Sequence, residues 1–586
     1  MIPARHLTGT DENPEPATGD NRDMGFWRGL GHALGQPVRW ASLLAGALPV
    51  LAYPAPNLEL LAWFGLVPGL LLMRIAPSAR EAAVRAWWFG TGFMLAAHYW
   101  LVPNIGPGLL LAAVAFGALW TGVGVSTNLL LRAPVTAGRA LAALLVVPSY
   151  WLVVEWIRSW QGFAGPWALL GTTQWQHPDV LSLAAIGGVW LVSFVVAAVN
   201  TGILIALVAG RLRVRLLAAA VAVVAAAAGP AAFALTPAVT PQRHLTVSLV
   251  QPGVITHPKP HGYASVGLSQ GLRSRHQQLI VWGESSIGAD LRRTPRLLAQ
   301  IEALSRADGA PILVSQDSIV SGGHSKVALL VTPHGITGSY TKARLVPFGE
   351  YIPFRAELGW LTSISKAASS NMIPGHGAKV LTVRPPGTRP VSIGVLICFE
   401  SAFPDMSRVD ARHGADLIVY QTSDSTFQQS WAPAQHASYS AIRAAETGRP
   451  VVQTALTGDS VAFDSRGRQL ASMSTSQHGV TTVRLGLPPR GAQTPFDRIG
   501  DVVPATALTV AALAALAALI GWLRRRPHHP RTAGKQGAEE KQRAEEERTS
   551  EEKERATGKL AAGKPAAGER SSGMPAAGER TARPPG

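Results

Sequence analysis

The sequence predicts a polytopic α-helical membrane domain of about eight spans joined to an α/β domain on the extracytoplasmic side. Long apolar stretches fill the N-terminal half and recur once near residue 505, strands alternate with helices from about residue 244 onward, and arginines gather at alternate ends of the apolar stretches. At 586 residues the chain exceeds one ordinary domain, and its 47% hydrophobic residues are unevenly spread.

The apolar stretches fall at 38–53, 56–76, 84–102, 108–131, 139–157, 185–210 and 214–236, and ATALTVAALAALAALIGWL follows at 505–523. A bilayer-crossing helix needs about 20 mainly apolar residues, which most of these supply. The first is short and carries Pro49, which tilts or breaks it. A soluble protein buries an occasional helix of this kind, but rarely a row of them. Arg28 and Arg39 precede or open the first span, Arg80 and Arg85 lie between the second and third, and Arg132 and Arg139 between the fourth and fifth. Arg211, Arg213 and Arg215 separate the sixth from the seventh, and Arg524, Arg525 and Arg526 follow the last. With eight spans these clusters share one face, which the positive-inside rule makes cytoplasmic. Loops such as VPNIGPG on the other face are nearly free of basic residues.

The expected organisation is a polar cytoplasmic leader at 1–37, a membrane domain at 38–236, an extracytoplasmic domain at 237–500, a last span at 501–523 and a disordered cytoplasmic tail at 524–586. Both termini are then inside. No cleavable signal peptide is expected, because the first apolar stretch follows the polar leader and runs straight into another span. The tail, with its EEK/EER run and AAGKPAAGER near-repeats, is too poor in large apolar residues to offset the entropy of ordering. The net charge of +17 lies largely at span ends and in this tail, and no nucleic-acid motif is present, so no nucleic-acid partner is expected.

Between 244 and 456, runs such as HLTVSLVQ, QLIVWGES, PILVSQDS, VSIGVLICF, ADLIVYQTS and RPVVQTAL alternate with helical stretches such as TPRLLAQIEALSRA. That alternation marks an α/β domain, whose sites usually lie at strand ends. Three strand ends carry chemistry: Glu284 after QLIVWG, Lys342 in SYTKARLVPFGEYIPF, and Cys398 after VSIGVLI. Cys398 is the only cysteine, so it forms no intramolecular disulfide; taken alone, a cysteine ending an apolar strand reads first as core packing. A carboxylate, an ammonium and a thiol are nonetheless the base, oxyanion-stabilising cation and nucleophile that acyl transfer needs. The thiol needs the base because its ordinary pKa of about 8.5 leaves it protonated at neutral pH, and Lys342 is expected to favour the thiolate. The histidines are scattered; His257 and His261 in HPKPH are separated by prolines that prevent one helical face, so no metal is expected. No glycine-rich loop opens a helix after a strand, so no nucleotide cofactor is expected either.

The blocks VWGES, YTKARLVPFGEY and GVLICFES, spaced by 58 and 56 residues between their Glu, Lys and Cys, resemble the Glu-Lys-Cys triad of the nitrilase superfamily of carbon–nitrogen hydrolases. The membrane half adds EWIRSWQGFAGPWALLGTTQ at 155–174, and together they resemble the apolipoprotein N-acyltransferase family over roughly residues 38–525. The resemblance implies a nitrilase-like αββα sandwich for the outward domain. It makes Glu284 the general base, Lys342 the oxyanion-stabilising cation, Cys398 the acylated nucleophile and Glu350 a second active-site glutamate. It also gives Phe399 a backbone N–H toward the oxyanion and Glu400 a supporting role; the bland alternative for Glu350 and Glu400 is a cap or surface ion pair. By the same resemblance the partners are a phospholipid acyl donor and a diacylglyceryl-apolipoprotein acceptor, with no cofactor.

The chain departs from the family pattern in places. Gly283 stands where the base motif usually has proline, which is expected to loosen the turn, and Thr426 stands where many members place an aromatic of the substrate pocket. The loop VQPGVITHPKPHGY lacks a tryptophan found in some relatives. These departures, with the Ala/Arg/Gly-rich composition, are similar to the actinobacterial branch. Two alternatives stand beside the transferase: a membrane-tethered amidase or nitrilase that resolves the thioester with water, and a non-catalytic scaffold for a polyprenol-phosphate mannose synthase.

Overall fold

Proline and glycine decide where the apolar stretches become continuous helices. A computed structural model describes residues 36–163, 165–237, 239–253, 260–272, 276–363, 371–385, 388–525 and 533–558. Among these, five helices are long and apolar enough to cross a membrane: Gly108–Leu131, Ala137–Arg158, Pro178–Val208, Leu212–Leu235 and Val502–Arg524. A shorter apolar helix spans Pro37–Ala52, its second half tightened to a 3₁₀ turn from Leu48, where Pro49 enters. The chain is a multi-pass helical membrane protein.

The stretch 56–76 is not the single helix the sequence predicts. It consists of a 3₁₀ turn at Glu59–Trp63 and an eight-residue helix at Val67–Arg74, because Pro54, Pro56 and Pro68 withhold backbone donors and Asn57 takes a left-handed φ of 57°. The next helix starts five residues before the expected 84, at Ala79, since Ser78 Oγ accepts the Glu81 N–H at 3.1 Å as an N-cap. Its Glu81 binds Arg39 at 2.9 Å and Arg85 at 3.3 Å, so two of the arginines used for orientation share one carboxylate.

Helix Pro178–Val208 also starts before its expected residue 185 and is broken at Gly187 and Gly188, the latter with φ 71°. The break frees the Val189 N–H, which donates to Glu446 Oε1 at 2.7 Å. A side chain at Gly188 would meet the Phe496 ring at 2.6 Å, so glycine is required both for the φ and for the space.

Twelve strands build the α/β part: β1 Arg243–Gln251, β2 Leu279–Trp282, β3 Ile312–Val320, β4 Gly323–Thr332, β5 Gly335–Thr341, β6 Val380–Val383, β7 Val391–Ile397, β8 Leu417–Thr422, β9 Val451–Ala455, β10 Ser460–Phe463, β11 Gln469–Met473 and β12 Gly479–Leu487. They form two six-stranded sheets, ordered β12-β1-β2-β3-β4-β5 and β11-β10-β9-β8-β7-β6. Each has a parallel centre, β1-β2-β3 or β7-β8-β9, flanked by antiparallel strands.

Alternate residues of each strand serve different cores. In β2, Leu279 and Val281 join the core between the sheets, while Ile280 and Trp282 join a second one with Leu297, Ile301 and Leu304 of helix Pro295–Asp308. Helices Pro404–Arg412 and Ala432–Thr447 cover the other sheet. The arrangement is an αββα sandwich. The sheets also touch through polar groups, Gln421 Nε2 donating to Trp282 O at 2.7 Å. Helical and sandwich parts pack into one compact unit that ends at Ala515.

The charged tail, expected to be disordered, contains a helix at Ala533–Gly558. Its pair Glu551/Arg555 stands at i,i+4 spacing, and its described side chains are exposed, which supports a solvated helix. The leader before residue 36 and the segment after 558 lie outside the described residues, as do His257 and the side chain of His261.

Helices Pro37–Ala47 and Ala79–Ala97 cross at van der Waals distance through two glycines. A Cβ on Gly46 would lie 1.9 Å from Phe89 O, and one on Gly92 2.0 Å from Leu43 O. Gly92→Val is therefore expected to lower stability by about 3 kcal/mol, seen as a lower thermal midpoint in detergent. Gly138→Val, where nothing lies within 4 Å, should not produce a comparable drop.

Candidate active site

Glu284, Lys342 and Cys398 arrive from three strand ends and meet at one edge of the sandwich. Glu284 stands two residues after β2 and is pinned by its backbone: its N–H donates to Thr422 O at 3.1 Å. The preceding Gly283 does not loosen the turn as expected. A Cβ there would lie 2.0 Å from Leu456 N, so the glycine lets the two sheets approach backbone to backbone beside the carboxylate.

Lys342 follows β5 and is fully buried. Its ammonium donates to Glu284 Oε1 at 3.2 Å and to Glu350 Oε1 at 2.7 Å. Glu350 is fixed in turn, its Oε2 accepting the Val346 N–H at 2.9 Å, so neither the cap nor the surface pair describes it.

Cys398 follows β7 with a left-handed φ of 54° and opens a 3₁₀ turn, Cys398–Ala402. A non-glycine residue in that region is held against its local preference. The turn leaves Cys398 partly exposed while Phe399, Glu400, Ser401 and Ala402 are buried.

The electrostatics favour a neutral thiol resting on a charged base. Burial pushes Cys398 well up and Glu284 pushes it further, with Lys342 opposing, so Lys342 does not produce a resting thiolate as the sequence reading expected. Burial would also raise Glu284, but Lys342, Lys326 and hydrogen bonds from the Cys398 thiol and Lys342 together hold it below the ordinary carboxylate range. Burial would lower Lys342, but Glu284 and Glu350 hold it well above the usual ammonium range. The arrangement can pass a proton from sulfur to carboxylate at the moment of attack.

Glu400 ties two of these strand ends together. Its Oε1 accepts from Tyr340 OH at 2.7 Å, Ala343 N at 2.7 Å and Arg344 N at 2.9 Å, and its Oε2 accepts from Ile397 N at 2.7 Å. The turn after Lys342 and the strand end before Cys398 are thus clamped by one carboxylate. Phe399 packs edge-to-face on Phe403 at 4.9 Å, and both rings close on Gly165 of the loop between helices Ala137–Arg158 and Pro178–Val208.

Sequence reasoning missed two neighbours. Lys326 of β4 lies 3.6 Å from Glu284 Oε1; at the start of an apolar strand it looks like a solvated end. His436, on helix Ala432–Thr447, holds Asp424 through Nδ1 at 2.9 Å, while its Nε2 is 3.1 Å from Cys398 O and 2.9 Å from Ser401 Oγ. The signal for it was the helical row Gln435, His436, Tyr439, Arg443 and Glu446, polar yet buried throughout. At the position lacking the expected aromatic, Thr426, the next residue Phe427 packs on Trp100 at 4.9 Å.

Two cavities flank the turn after Lys342. One of about 570 Å³ is lined by Trp156, Trp160, Trp190, Arg344 and Phe403, the other of about 630 Å³ by Trp160, Phe163, Ala343, Leu345 and Tyr351. Cys398 lines neither.

The family model described as apolipoprotein N-acyltransferase N-terminal domain matches residues 45–202, and that described as carbon-nitrogen hydrolase matches residues 274–491. An apolipoprotein N-acyltransferase from Agrobacterium fabrum is 30% identical over 76% of this chain and 89% of that protein. The chain belongs to the apolipoprotein N-acyltransferase family. The apolipoprotein N-acyltransferase of Geobacter metallireducens is 29% identical, with 83% of this chain and 96% of that one covered. Among solved structures, a mutant of the Nesterenkonia AN1 amidase from the nitrilase superfamily has 18% identity, covering 46% of this chain and 98% of that one, at a TM-score of 0.32. The α/β part, matched by the carbon-nitrogen hydrolase model, is a nitrilase-like domain.

The clamp by Glu400 yields a stability expectation. Glu400→Ala removes the acceptor of four hydrogen bonds, two of them fully buried, and should cost about 3 kcal/mol or more. Glu400→Gln, whose amide nitrogen must face N–H donors, should lose an intermediate amount. Thermal unfolding of the two variants in detergent checks the order.

Proposed function

We propose that Cys398 carries a fatty acyl chain from a membrane phospholipid to the N-terminal amine of a diacylglyceryl-modified lipoprotein, with Glu284 as base and Lys342 as the cation for the oxyanion. The enzyme is an acyltransferase of lipoprotein N-acylation. The observation that carries the residue roles is the convergence of the Cys398 thiol and the buried Lys342 ammonium on the charged Glu284 carboxylate.

In the first half-reaction the Cys398 proton passes to Glu284 as sulfur attacks the ester carbonyl. The tetrahedral oxyanion forms beside Lys342 and the Phe399 N–H, the C–O bond breaks, and the lysophospholipid oxygen takes the proton back from Glu284. In the second, the acceptor amine attacks the thioester and gives a proton to Glu284; the C–S bond breaks, and the leaving sulfur takes that proton. Glu284 ends each half as it began. Glu350 holds Lys342, and Glu400 holds the two strand ends.

We also propose that residues 237–500 are extracytoplasmic and both termini cytoplasmic. The interrupted segment 59–74 supports an odd count of crossings before the sandwich, because its two ends reach opposite sides. On its N-terminal side Asn57 bonds Gln176 and Trp175, and Trp175 packs on Phe463 of the sandwich. At its other end Arg74 donates to Leu131 O, beside Arg132 and Arg139. The scaffold reading for a polyprenol-phosphate mannose synthase is not carried further, since no specific observation favours it.

Incubated with phospholipid and no acceptor, the purified enzyme is expected to gain the mass of one fatty acyl chain on Cys398. A diacylglyceryl peptide with a free N-terminal amine should discharge it to an amide, and an N-acetylated peptide should not. Rapid release of free fatty acid without the peptide would instead establish the amidase. For topology, Ser476→Cys in a Cys398→Ala background should react with an impermeant thiol reagent from outside intact cells, and Glu547→Cys should react only after lysis.

A further inference from the structure

The acyl-transfer steps use Lys342 and leave a second, part-buried cation, Lys326, without a task. Its ammonium lies 3.6 Å from the same Glu284 Oε1 that Lys342 reaches at 3.2 Å. Ser285 Oγ at 2.6 Å and Asp317 Oδ1 at 3.1 Å hold it there, and the Ser285 hydroxyl itself donates to Asp317 at 2.9 Å.

Strand register makes this placement more than a chance approach. Asp317 of β3 pairs directly with Lys326 of β4, and the Lys342 N–H beyond β5 donates to Lys326 O at 2.9 Å. Asp317, Lys326 and Lys342 therefore form a row across three strands. Two ammoniums facing each other on neighbouring strands repel unless an anion lies between them. Glu284 is that anion.

The charges must also balance. Lys342 serves two buried carboxylates and is closer to Glu350, at 2.7 Å, than to Glu284. One ammonium shared by two anions leaves Glu284 under-compensated in a site where an unpaired charge would take up a proton. A neutral Glu284 cannot accept the thiol proton.

Resting on the reading of Glu284 as base, we propose that Lys326 is a positioning residue for acyl transfer, the second ammonium that keeps the Glu284 carboxylate ionised and in place beside the thiol. The groups that face Glu284 divide accordingly. Lys342 and Lys326 favour its charged form, as does the hydrogen bond from Cys398. Glu350 and Asp317 lie beyond the two lysines, and the Asp424–His436 pair lies behind the Cys398 backbone.

The test is the pH dependence of Cys398 acylation by phospholipid, read by mass, in the full-length enzyme and in variants whose thermal midpoints show them folded. In Lys326→Gln the acid limb should move to higher pH by about one unit or more, the effect of removing an opposite charge at this range. Lys326→Arg, which keeps the charge, should hold the limb near its original place. Asp317→Asn breaks the same ion pair but leaves the ammonium, so it should not move the limb upward. Equal upward shifts in Lys326→Gln and Asp317→Asn would reduce Lys326 to a structural ion pair and overturn the inference. So would an unmoved limb in Lys326→Gln while Glu284→Gln is inactive. Acylation that survives in Glu284→Gln would remove the base assignment and this inference with it.

Discussion

A carboxylate has to stay charged inside the sandwich, beside a thiol that keeps its proton, and much of the local structure follows from that constraint. Isolated in an apolar interior, Glu284 would take up a proton and lose its use. Two ammoniums prevent this, each held by its own carboxylate: Lys342 by Glu350 and Lys326 by Asp317. The alternating signs explain why lysine side chains can be buried at all in strands otherwise built from valine, leucine and isoleucine. They also explain why the site spans both sheets, since β2, β4 and β5 belong to one sheet and the Cys398 turn to the other.

The helical and sandwich parts meet through polar contacts that a plain hydrophobic interface would not need. Helix Ala432–Thr447 is buried on every side, with one face on the sheet and another on the loop before helix Pro178–Val208. Trp167 Nε1 donates to Gln435, Tyr439 OH to Pro166 O, and Arg158 to the Trp167 and Ala168 carbonyls. The same helix supplies His436 behind the Cys398 carbonyl and Glu446 to the amide freed at the Gly187–Gly188 break. The strained turn at Cys398 is therefore buttressed from the helical part, and the position of Cys398 depends on both parts of the chain.

How legible this was depended on the kind of signal. Glu284 and Lys342 could be singled out because each puts a charge at the end of an apolar strand, whereas Cys398 alone reads as core packing and was marked only by the three blocks taken together through the family resemblance. Glu400 was placed near the site, but its four-bond clamp was not visible, because hydrogen-bond acceptors leave no periodicity. Lys326 was missed since a lysine early in KVALLVTP fits an exposed strand start; only the register with Asp317 and the Lys342 backbone turns it inward. His436 was hidden in a helix whose polar residues imitate a solvated face. In the membrane part, counting apolar residues at 56–76 found the right composition, but three prolines and a left-handed Asn57 made two short pieces of it. Gly283 was read as a slackened turn when it is a contact between backbones.

That last point bears on how Glu284 keeps its place although glycine stands before it. A proline before Glu284 would fix the turn through its own φ; glycine gives up that restraint. Here the restraint comes from outside the turn: Leu456 N sits where a Cβ would be, Thr422 O takes the Glu284 N–H, and Gln421 Nε2 takes the Trp282 carbonyl. Three partners from the opposite sheet thus fix the backbone around the base, and removing the side chain at 283 is what lets the sheet edges close enough for them to do so. The position of Glu284 is set by the packing of one sheet on the other, which is also what carries the Cys398 turn to it.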